Sequence, residues 1–175
     1  NEQAAQEAQG ILISPTFRVY TNSDVIGVEL GGALKNIIAL GAGICDGLGY
    51  GDNGKAAFIT RGLAEITRLG VIAGANPTTF AGLAGLGDLI ATCSSRLSRN
   101  HYVGEQLAKG IPLNDILDAM NNVAEGVHST RAALKMADKL GIDMPITEIT
   151  YSVLFNGLDP RQAVARLMER PPTAE

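Results

Sequence analysis

The chain has 175 residues, 46% of them hydrophobic, so it is long enough to form one domain with a substantial buried core. Fourteen Lys and Arg stand against eighteen Asp and Glu, which gives a formal net charge of -4. That balance argues against a nucleic-acid-binding surface, because such a surface must neutralise many phosphates. An anionic ligand would instead have to be met by a few well-placed cations.

The first 22 residues differ from the rest of the chain. Residues 3–9 form a short polar segment that predicts a helix, and residues 17–20 alternate in the manner of a strand between two turn signals. A single strand has no sheet to join. We therefore expect the chain to be the remainder of a larger protein, with residues 1–22 left from a preceding domain that held the sheet and residues 23–175 forming a helical domain.

Beyond Ser23 the apolar spacing becomes helical and stays so. Ser23 or Asp24 is the predicted cap of a long, glycine-rich helix. A second helix is expected from about Asn53 to Gly70, and a third begins with Asn76 as its cap and Pro77 in its first turn. Further helices are predicted at about 102–109, 113–120, 128–140, 146–155 and 161–170, the last capped by Asp159. The pattern predicts an all-α protein with roughly eight helices.

The stretch from Val25 to Leu48 is long enough to cross a bilayer. It carries four polar or charged side chains that are costly to place in hydrocarbon, namely Glu29, Lys35, Asn36 and Asp46. A buried helix inside a large helical domain is the better interpretation. Cys45 and Cys93 lack CxxC spacing and have apolar neighbours, so buried thiols are favoured over a disulfide. Free thiols indicate a reducing compartment, and we expect a cytoplasmic protein.

Lys35 is the charged residue that most needs an explanation, because it follows Gly31 and Gly32 within an apolar helix. Burial or a nearby cation can bring a lysine close to proton exchange at the working pH. Gly32 lies about one turn earlier and Asn36 directly after, so a ligand that approaches the helix backbone would meet an ammonium and a carboxamide together. The alternative is a lysine whose head group simply reaches solvent from a core helix.

Two further segments place polar groups beside apolar ones. Asp88, within Gly87-Asp88-Leu89-Ile90, is a candidate helix cap and a candidate charged partner for Lys35 or a substrate hydroxyl, and the two roles are compatible. Ser98 is a plausible cap for the following helix, and Arg99 would present a fork of donors suited to a phosphate. Arg96 either reinforces that positive field or is an ordinary solvated surface arginine.

Two apparent motifs carry no functional weight. Residues 49–54 match the GxGxxG pattern, but they follow a helix instead of a strand, so a turn between helices is expected. His101 and His128 have no cysteine or carboxylate partners at ligand spacing, and we expect no metal site.

Five motifs occur in order at compatible spacing: Ser-Pro-Thr-Phe-Arg-Val-Tyr at 14–20, Gly-Val-Glu-Leu-Gly-Gly-Ala-Leu-Lys-Asn at 27–36, Gly-Leu-Gly-Asp-Leu-Ile-Ala-Thr-Cys at 85–93, Ser-Arg-Asn at 98–100 and Val-Ala-Glu-Gly at 123–126. Together they resemble the C-terminal domain of bacterial NAD(P)-dependent glycerol-3-phosphate dehydrogenase, and the likeness covers nearly the whole chain. The resemblance implies an all-α, multi-helix domain of the 6-phosphogluconate dehydrogenase-like type, preceded by a helix-strand remnant of a Rossmann domain. It also implies an NAD or NADP cofactor, bound mostly by that missing domain, and a role in glycerophospholipid synthesis.

The resemblance also implies roles for individual residues. Lys35 would exchange the C2 hydroxyl proton of sn-glycerol 3-phosphate as that substrate and dihydroxyacetone phosphate interconvert. The remaining substrate-binding residues would be Asn36, Asp88, Thr92, Ser98, Arg99 and Asn100. Cofactor contacts would come from Arg99, Val123 and Glu125. Because the Rossmann phosphate-binding turn is absent, we predict that this polypeptide alone does not turn over substrate.

Two other hypotheses stay open on the sequence. The chain resembles, more distantly, the helical domain of other Rossmann-type dehydrogenases that act on hydroxyacids or ketopantoate. It is also compatible with a non-catalytic helical dimerisation module in which Lys35 and Asp88 form a structural ion pair. The sequence leaves a homodimer open and predicts neither a nucleic-acid partner nor a membrane span.

Overall fold

The computed structural model describes residues 1–171, and the regular secondary structure of that part is helical. The last four residues of the predicted helical domain, 172–175, lie outside the described part. The described chain forms ten α-helices and one π-helical turn: α1 (Glu2–Leu12), α2 (Val25–Leu48), α3 (Gly51–Ile72), α4 (Pro77–Ala81), the π turn (Leu83–Gly87), α5 (Asp88–Ser94), α6 (Arg99–Ala108), α7 (Leu113–Asp118), α8 (Glu125–Leu140), α9 (Pro145–Phe155) and α10 (Pro160–Met168). The all-α prediction is confirmed.

Helix α2 is the centre of the fold, with α3, α5, α6 and α8 packed around it. Its side chains are buried without a break from Ile37 to Cys45, as predicted for a core helix. Among residues 1–171 it is the one helix long and apolar enough to cross a membrane by length and composition, and half of its most apolar stretch is buried inside the protein. The position of every functional side chain described below is set relative to this helix.

Two apolar clusters surround α2. One joins Leu34, Ile38 and Ala42 of α2 to α3, α5 and α8. The other joins Leu40 and Ile44 of α2 to α6, α9 and α10. Helix α6 lies especially close: a Cβ added at Gly43 would clash with the His101 carbonyl, and one at Gly104 would clash with the Leu40 carbonyl. Glycine is needed at both positions because only a residue without a side chain lets two helix backbones approach so closely. This crossing fixes the first turn of α6 against α2.

Capping residues mark the predicted helix starts. Asp24 caps α2 by accepting from the Gly27 amide at 2.9 Å, and its second oxygen accepts from the Asn76 amide at 2.8 Å and the Thr79 hydroxyl at 2.7 Å. These hydrogen bonds, led by that from Gly27, lower the pKa of Asp24. The predicted caps at Asn76 and Asp159 are likewise confirmed. Asp24 thereby ties the start of α2 to the start of α4.

Several boundaries differ from the prediction. The helix predicted to begin after Asn76 is short and stops at Ala81, where Gly82 is extended, and the π turn and α5 follow it. Helix α8 begins three residues earlier than predicted, at Glu125. Apolar periodicity could not find this start, because the polar residues of the first turn do not continue the apolar repeat. Helix α6 begins at Arg99, directly after the predicted cap Ser98, although its apolar repeat indicates a helix only from about Tyr102. Both starts place candidate site residues in the first turn of a helix.

The N-terminal strand prediction is wrong. Helix α1 is longer than predicted, but residues 17–20 form no strand, and only an isolated bridge links Ser14 to Phe17. A strand persists only when a neighbouring backbone supplies its hydrogen bonds, and the described chain offers none. The side chain of Gln9 holds this segment instead, by donating to the Val19 carbonyl at 2.8 Å.

The GxGxxG match is a helix-to-helix turn as predicted, with Gly49 and Gly51 at positive φ.

Candidate active site

Lys35 and Asp88 form the centre of the candidate site. The Lys35 ammonium on α2 donates a hydrogen bond to Oδ2 of Asp88, the first residue of α5. The lysine side chain is 20% exposed and the aspartate 40%, so the pair lies at the edge of the core with access to solvent. Asp88 makes no capping hydrogen bond, which means that the cap interpretation is wrong and the partner interpretation is right.

The π turn is what brings Asp88 to Lys35. A Cβ at Gly31 would lie 2.7 Å from the Ala84 carbonyl oxygen, so the turn presses directly on the α2 backbone one helical turn before the lysine. Gly85 is equally constrained by the backbone of Phe80. Single π turns inserted between α-helical segments are found frequently at functional sites, because the wider turn redirects the side chains that follow. The glycines flagged by the sequence therefore position the carboxylate.

A buried amide relay joins three helices beside this pair. Asn100 donates from Nδ2 to Oδ1 of Asn36 at 2.9 Å, and its own Oδ1 accepts from the Gly126 amide at 2.8 Å. Asn36 in turn donates to the Gly32 carbonyl at 3.3 Å. Asn100 is only 3% exposed. Both ends of its amide are thus occupied within the protein, and its visible role is to hold α2, α6 and α8 together where each carries a site residue.

Arg99 follows Ser98 at the start of α6 and reaches α8. Its Nη2 donates to Oε1 of Glu125 at 2.7 Å, and both side chains are close to half exposed. Ser98 caps the helix by accepting from the His101 amide at 3.3 Å, as predicted. Val123, which lies just before α8, is 59% exposed. The structure therefore groups the predicted substrate and cofactor residues Arg99, Val123 and Glu125 at one open edge.

Thr92 lies one turn beyond Asp88 on α5. Its hydroxyl donates to the Asp88 carbonyl at 2.7 Å, which leaves the oxygen as an acceptor on the same face of the helix.

Arg96 is the candidate that the structure separates from the others, since it lines a cavity, described below, that includes none of the other candidates. All the other predicted site residues belong to α2, to α5, to the first turns of α6 and α8, or to the one or two residues before α6 and α8.

The sequence analysis did not predict one cluster of charged and polar side chains, formed by Asp46, Lys55 and His101. His101 Nε2 lies 2.8 Å from Oδ2 of Asp46, and the same oxygen accepts from Lys55 at 2.9 Å. Burial opposes the charge on Asp46, but the hydrogen bonds from Lys55 and His101 outweigh it and lower the pKa of that carboxyl. His101 and Asp46 are 55 residues apart, so no spacing signal could have linked them. Within the described part of the chain no group of three or more His, Cys, Asp or Glu side chains is arranged to hold a metal ion.

Both cysteines are buried and free, as the sequence indicated. Burial raises the pKa of Cys45 to about 11 and that of Cys93 to about 12. Thiols of this kind are held in the unreactive protonated form, because the thiolate is the reactive species. They serve the core beneath the site and not its chemistry.

Known proteins match this fold and these motifs closely. The glycerol-3-phosphate dehydrogenase (NAD(P)+) of Dehalococcoides mccartyi strain 195 is 59% identical over 167 residues, which cover 95% of this chain and 46% of that protein. The enzyme of the same description from Geobacillus thermodenitrificans is 61% identical over 171 residues, or 97% of this chain and 50% of that protein. The crystal structure of glycerol-3-phosphate dehydrogenase from Coxiella burnetii superimposes with a TM-score of 0.93 at 44% identity, covering 97% of this chain and 52% of that one.

These matches define the class of the chain as a dehydrogenase C-terminal domain. The family described as NAD-dependent glycerol-3-phosphate dehydrogenase C-terminus matches residues 24–165, and the chain belongs to that family. The chain spans about half the length of the curated relatives it matches. The matched region begins at Asp24, the cap of α2, and includes every candidate site residue named above.

Proposed function

We propose that this chain is the substrate-binding and proton-transfer domain of an enzyme that interconverts sn-glycerol 3-phosphate and dihydroxyacetone phosphate with NAD or NADP. The relatives described above are named glycerol-3-phosphate dehydrogenase (NAD(P)+). The single observation that supports it most strongly is the Lys35–Asp88 pair, which holds an ammonium at the solvent-accessible edge of the core. The guanidinium of Arg99, on a helix tied to the residue after Lys35, supplies a cation for the substrate phosphate.

Lys35 is the proposed acid and base. In the oxidation direction its amine takes the proton from the C2 hydroxyl, and in the reduction direction its ammonium returns that proton to the carbonyl oxygen. Asp88 holds Nζ in place during both directions through the hydrogen bond that the structure records. A general acid or base must lie within hydrogen-bond reach of the proton it moves, so this fixed position is the main contribution of the pair.

Arg99 is the proposed phosphate ligand. Its present partner Glu125 occupies only one Nη2 donor, and a guanidinium has five N–H groups in a planar fork that suits two phosphate oxygens. Because both side chains are about half exposed, the ion pair is screened by water and can be exchanged for a doubly charged phosphate at low cost. Asn100 is proposed to position Arg99 relative to Lys35 and not to bind the phosphate itself.

The open edge formed by Arg99, Val123 and Glu125 fits the nicotinamide side of a dinucleotide. The exposed apolar side chain of Val123 can pack against the nicotinamide ring, and the Arg99–Glu125 pair can meet polar groups attached to that ring. NAD or NADP supplies the hydride acceptor or donor when bound. We propose that the rest of the dinucleotide is held by an adjoining Rossmann domain, and that residues 1–22 associate with that domain. In support, no side chain among residues 1–22 is buried in the described fold. We also propose a cytoplasmic location, where the free thiols of Cys45 and Cys93 persist.

Calorimetric titration with sn-glycerol 3-phosphate tests this proposal at low ionic strength, which favours a weak phosphate contact. We expect saturable binding that is lost in Arg99→Ala and retained in Arg166→Ala, a matched exposed arginine on α10. Lys35→Met is expected to weaken binding less than Arg99→Ala, since the lysine meets the reacting oxygen and not the phosphate. Binding that survives Arg99→Ala would contradict the assignment of the phosphate ligand.

The same proposal also predicts that the isolated chain is catalytically inactive. Without a dinucleotide-binding domain it should show no turnover of sn-glycerol 3-phosphate or dihydroxyacetone phosphate in the presence of NAD or NADP. Measurable turnover by the purified 175-residue chain would refute the division of labour proposed here.

A further inference from the structure

A polar cavity lies beside the C-terminal half of α2. Its volume is about 490 Å³, and Asp46, Lys55, Arg96 and His101 are among its lining residues. Asp46 is eleven residues beyond Lys35 on the same helix, which corresponds to about 16 Å along the axis. The cavity is therefore separate from the Lys35–Asp88 site, although α6 contributes to both.

The base of this cavity is a fixed ionic cluster. Oδ2 of Asp46 accepts from both Lys55 and His101, whose side chains are only 18% and 10% exposed. A lysine has three N–H donors, so Lys55 keeps two that the Asp46 contact does not use. The base thus presents unused donors from a side chain that is already held in position.

The rim of the cavity carries donors without protein partners. Arg96 is exposed and makes no ion pair with any residue in the described part of the chain. Ser94 and Tyr102 also line the cavity, and neither hydroxyl takes part in a hydrogen bond within residues 1–171. A guanidinium and two hydroxyls on one rim form a donor set that matches a tetrahedral oxyanion.

The two carboxylates that line the cavity are already paired with lysines. Glu105 accepts from Lys109, whose Nζ lies 2.9 Å from its Oε1, and Asp46 accepts from Lys55. The lining holds two cations, Lys55 and Arg96, against these two anions, and Arg96 is the lining cation that makes no ion pair within residues 1–171. A guanidinium without an ion-pair partner favours an anionic ligand.

We propose that this cavity is a second anion site that binds a phosphate dianion, either free or as a small phosphomonoester. Arg96 and the hydroxyls of Ser94 and Tyr102 bind the phosphate oxygens at the rim, and Lys55 donates to them from below. The proposal does not depend on the function assigned to Lys35. It accounts for the position of Arg96, which the structure separates from Arg99 although the two are three residues apart.

Amide chemical shifts of the ¹⁵N-labelled 175-residue chain test the proposal during titration with inorganic phosphate, at ionic strength held constant with chloride. We expect saturable shifts in two separate groups of amides, one around Ser94 and Tyr102 and one around Arg99. A parallel titration with methyl phosphate distinguishes free phosphate from a phosphomonoester as the preferred species, and tighter binding of either one supports the site.

Paired arginine variants assign the two groups. Arg96→Gln should weaken the response around Tyr102 about ten- to hundredfold, the usual range for loss of a charged hydrogen-bond donor, and leave the response around Arg99 unchanged. Arg99→Gln should do the reverse, so failure of the proposed substrate site and failure of this second site give different spectra. Tyr102→Phe keeps the fold and the charge and should also weaken the second response. No saturable shift around Ser94 and Tyr102 in the wild-type chain, or a shift that persists in Arg96→Gln, overturns the proposal.

Discussion

Replacing Lys35 by Met separates a catalytic lysine from a structural one. Breaking a fully buried ion pair costs about 3–5 kcal/mol, whereas an exposed pair contributes about 0.2–1 kcal/mol. Here the Asp88 side chain is 40% exposed, so water can solvate its carboxylate once the ammonium is gone. Methionine also preserves most of the aliphatic stem of lysine. We therefore expect Lys35→Met to lower the free energy of unfolding by no more than about 1 kcal/mol, or about 2–4 °C in Tm for a domain of this size.

Urea unfolding of the 175-residue chain measures this cost, with Lys109→Met as the matched control. The Lys109–Glu105 pair is an exposed i,i+4 contact, for which a loss of about 0.3–0.5 kcal/mol is expected. In a full-length member of the family, the equivalent of Lys35→Met should reduce turnover about 10²- to 10⁴-fold, the usual contribution of a general acid or base. A stability loss of about 3 kcal/mol or more, together with unchanged turnover, would refute the reasoning and favour the non-catalytic dimerisation module.

The contacts around the glycines, Glu65 and the two cysteines lead to further predictions. Gly126→Ala should destabilise the chain by about 1–3 kcal/mol, because its Cβ would lie 2.6 Å from the Asn36 carbonyl oxygen and would displace the amide relay. Gly32→Ala, which meets nothing within 4 Å, should instead stabilise α2 by about 0.5–1 kcal/mol in thermal melts, and equal effects of the two substitutions would contradict this account of the helix packing. Glu65→Gln should cost about 1–3 kcal/mol, because the buried carboxylate accepts from the amides of Ile146 and Thr147, and an amide nitrogen cannot replace either oxygen. Burial raises the pKa of Glu65 in the folded state, although its hydrogen bonds act in the opposite direction. The folded protein therefore holds the Glu65 proton more tightly than the unfolded chain does. The stability that this proton contributes is complete at low pH and is lost as the pH rises through the folded pKa. Urea unfolding across the acidic range should show this loss in the wild-type chain and not in Glu65→Gln. Finally, the two buried thiols should react with a thiol-specific dye only after denaturation, and rapid labelling of the folded chain would show that the core around them opens.

Part of the candidate site could be predicted without coordinates. Lys35 and Asp88 were each recognised as charges in apolar surroundings, and a contact between them was one of the two interpretations offered for Asp88. The cap at Ser98 follows a local rule that depends on one side chain and an amide three residues later. Such signals span at most one helical turn, so the sequence contains them in full.

Other features of the site depend on helix crossings. The occupied amide of Asn100 could not be foreseen, because its partners Asn36 and Gly126 are 64 and 26 residues away. The ionic cluster of Asp46, Lys55 and His101 was missed for the same reason. Arg96 and Arg99 look equivalent in sequence, yet Arg96 lines the cavity beside Asp46 whereas Arg99 pairs with Glu125 at the open edge.

The all-α class, most helix positions, the caps at Asn76 and Asp159, and the identity of the charged residues available for chemistry can be predicted from the sequence alone, which leaves Ser23 and Asp24 as alternatives at the start of α2. These properties follow from apolar periodicity and from side-chain hydrogen bonds within a few residues. The tertiary structure alone decided which charges meet, which amides are already satisfied, and that the alternating segment at residues 17–20 is not a strand. The physical reason is that pairing depends on how closely distant backbones approach, and in this fold that approach is set by glycines at the contacts of α2 with α6 and the π turn.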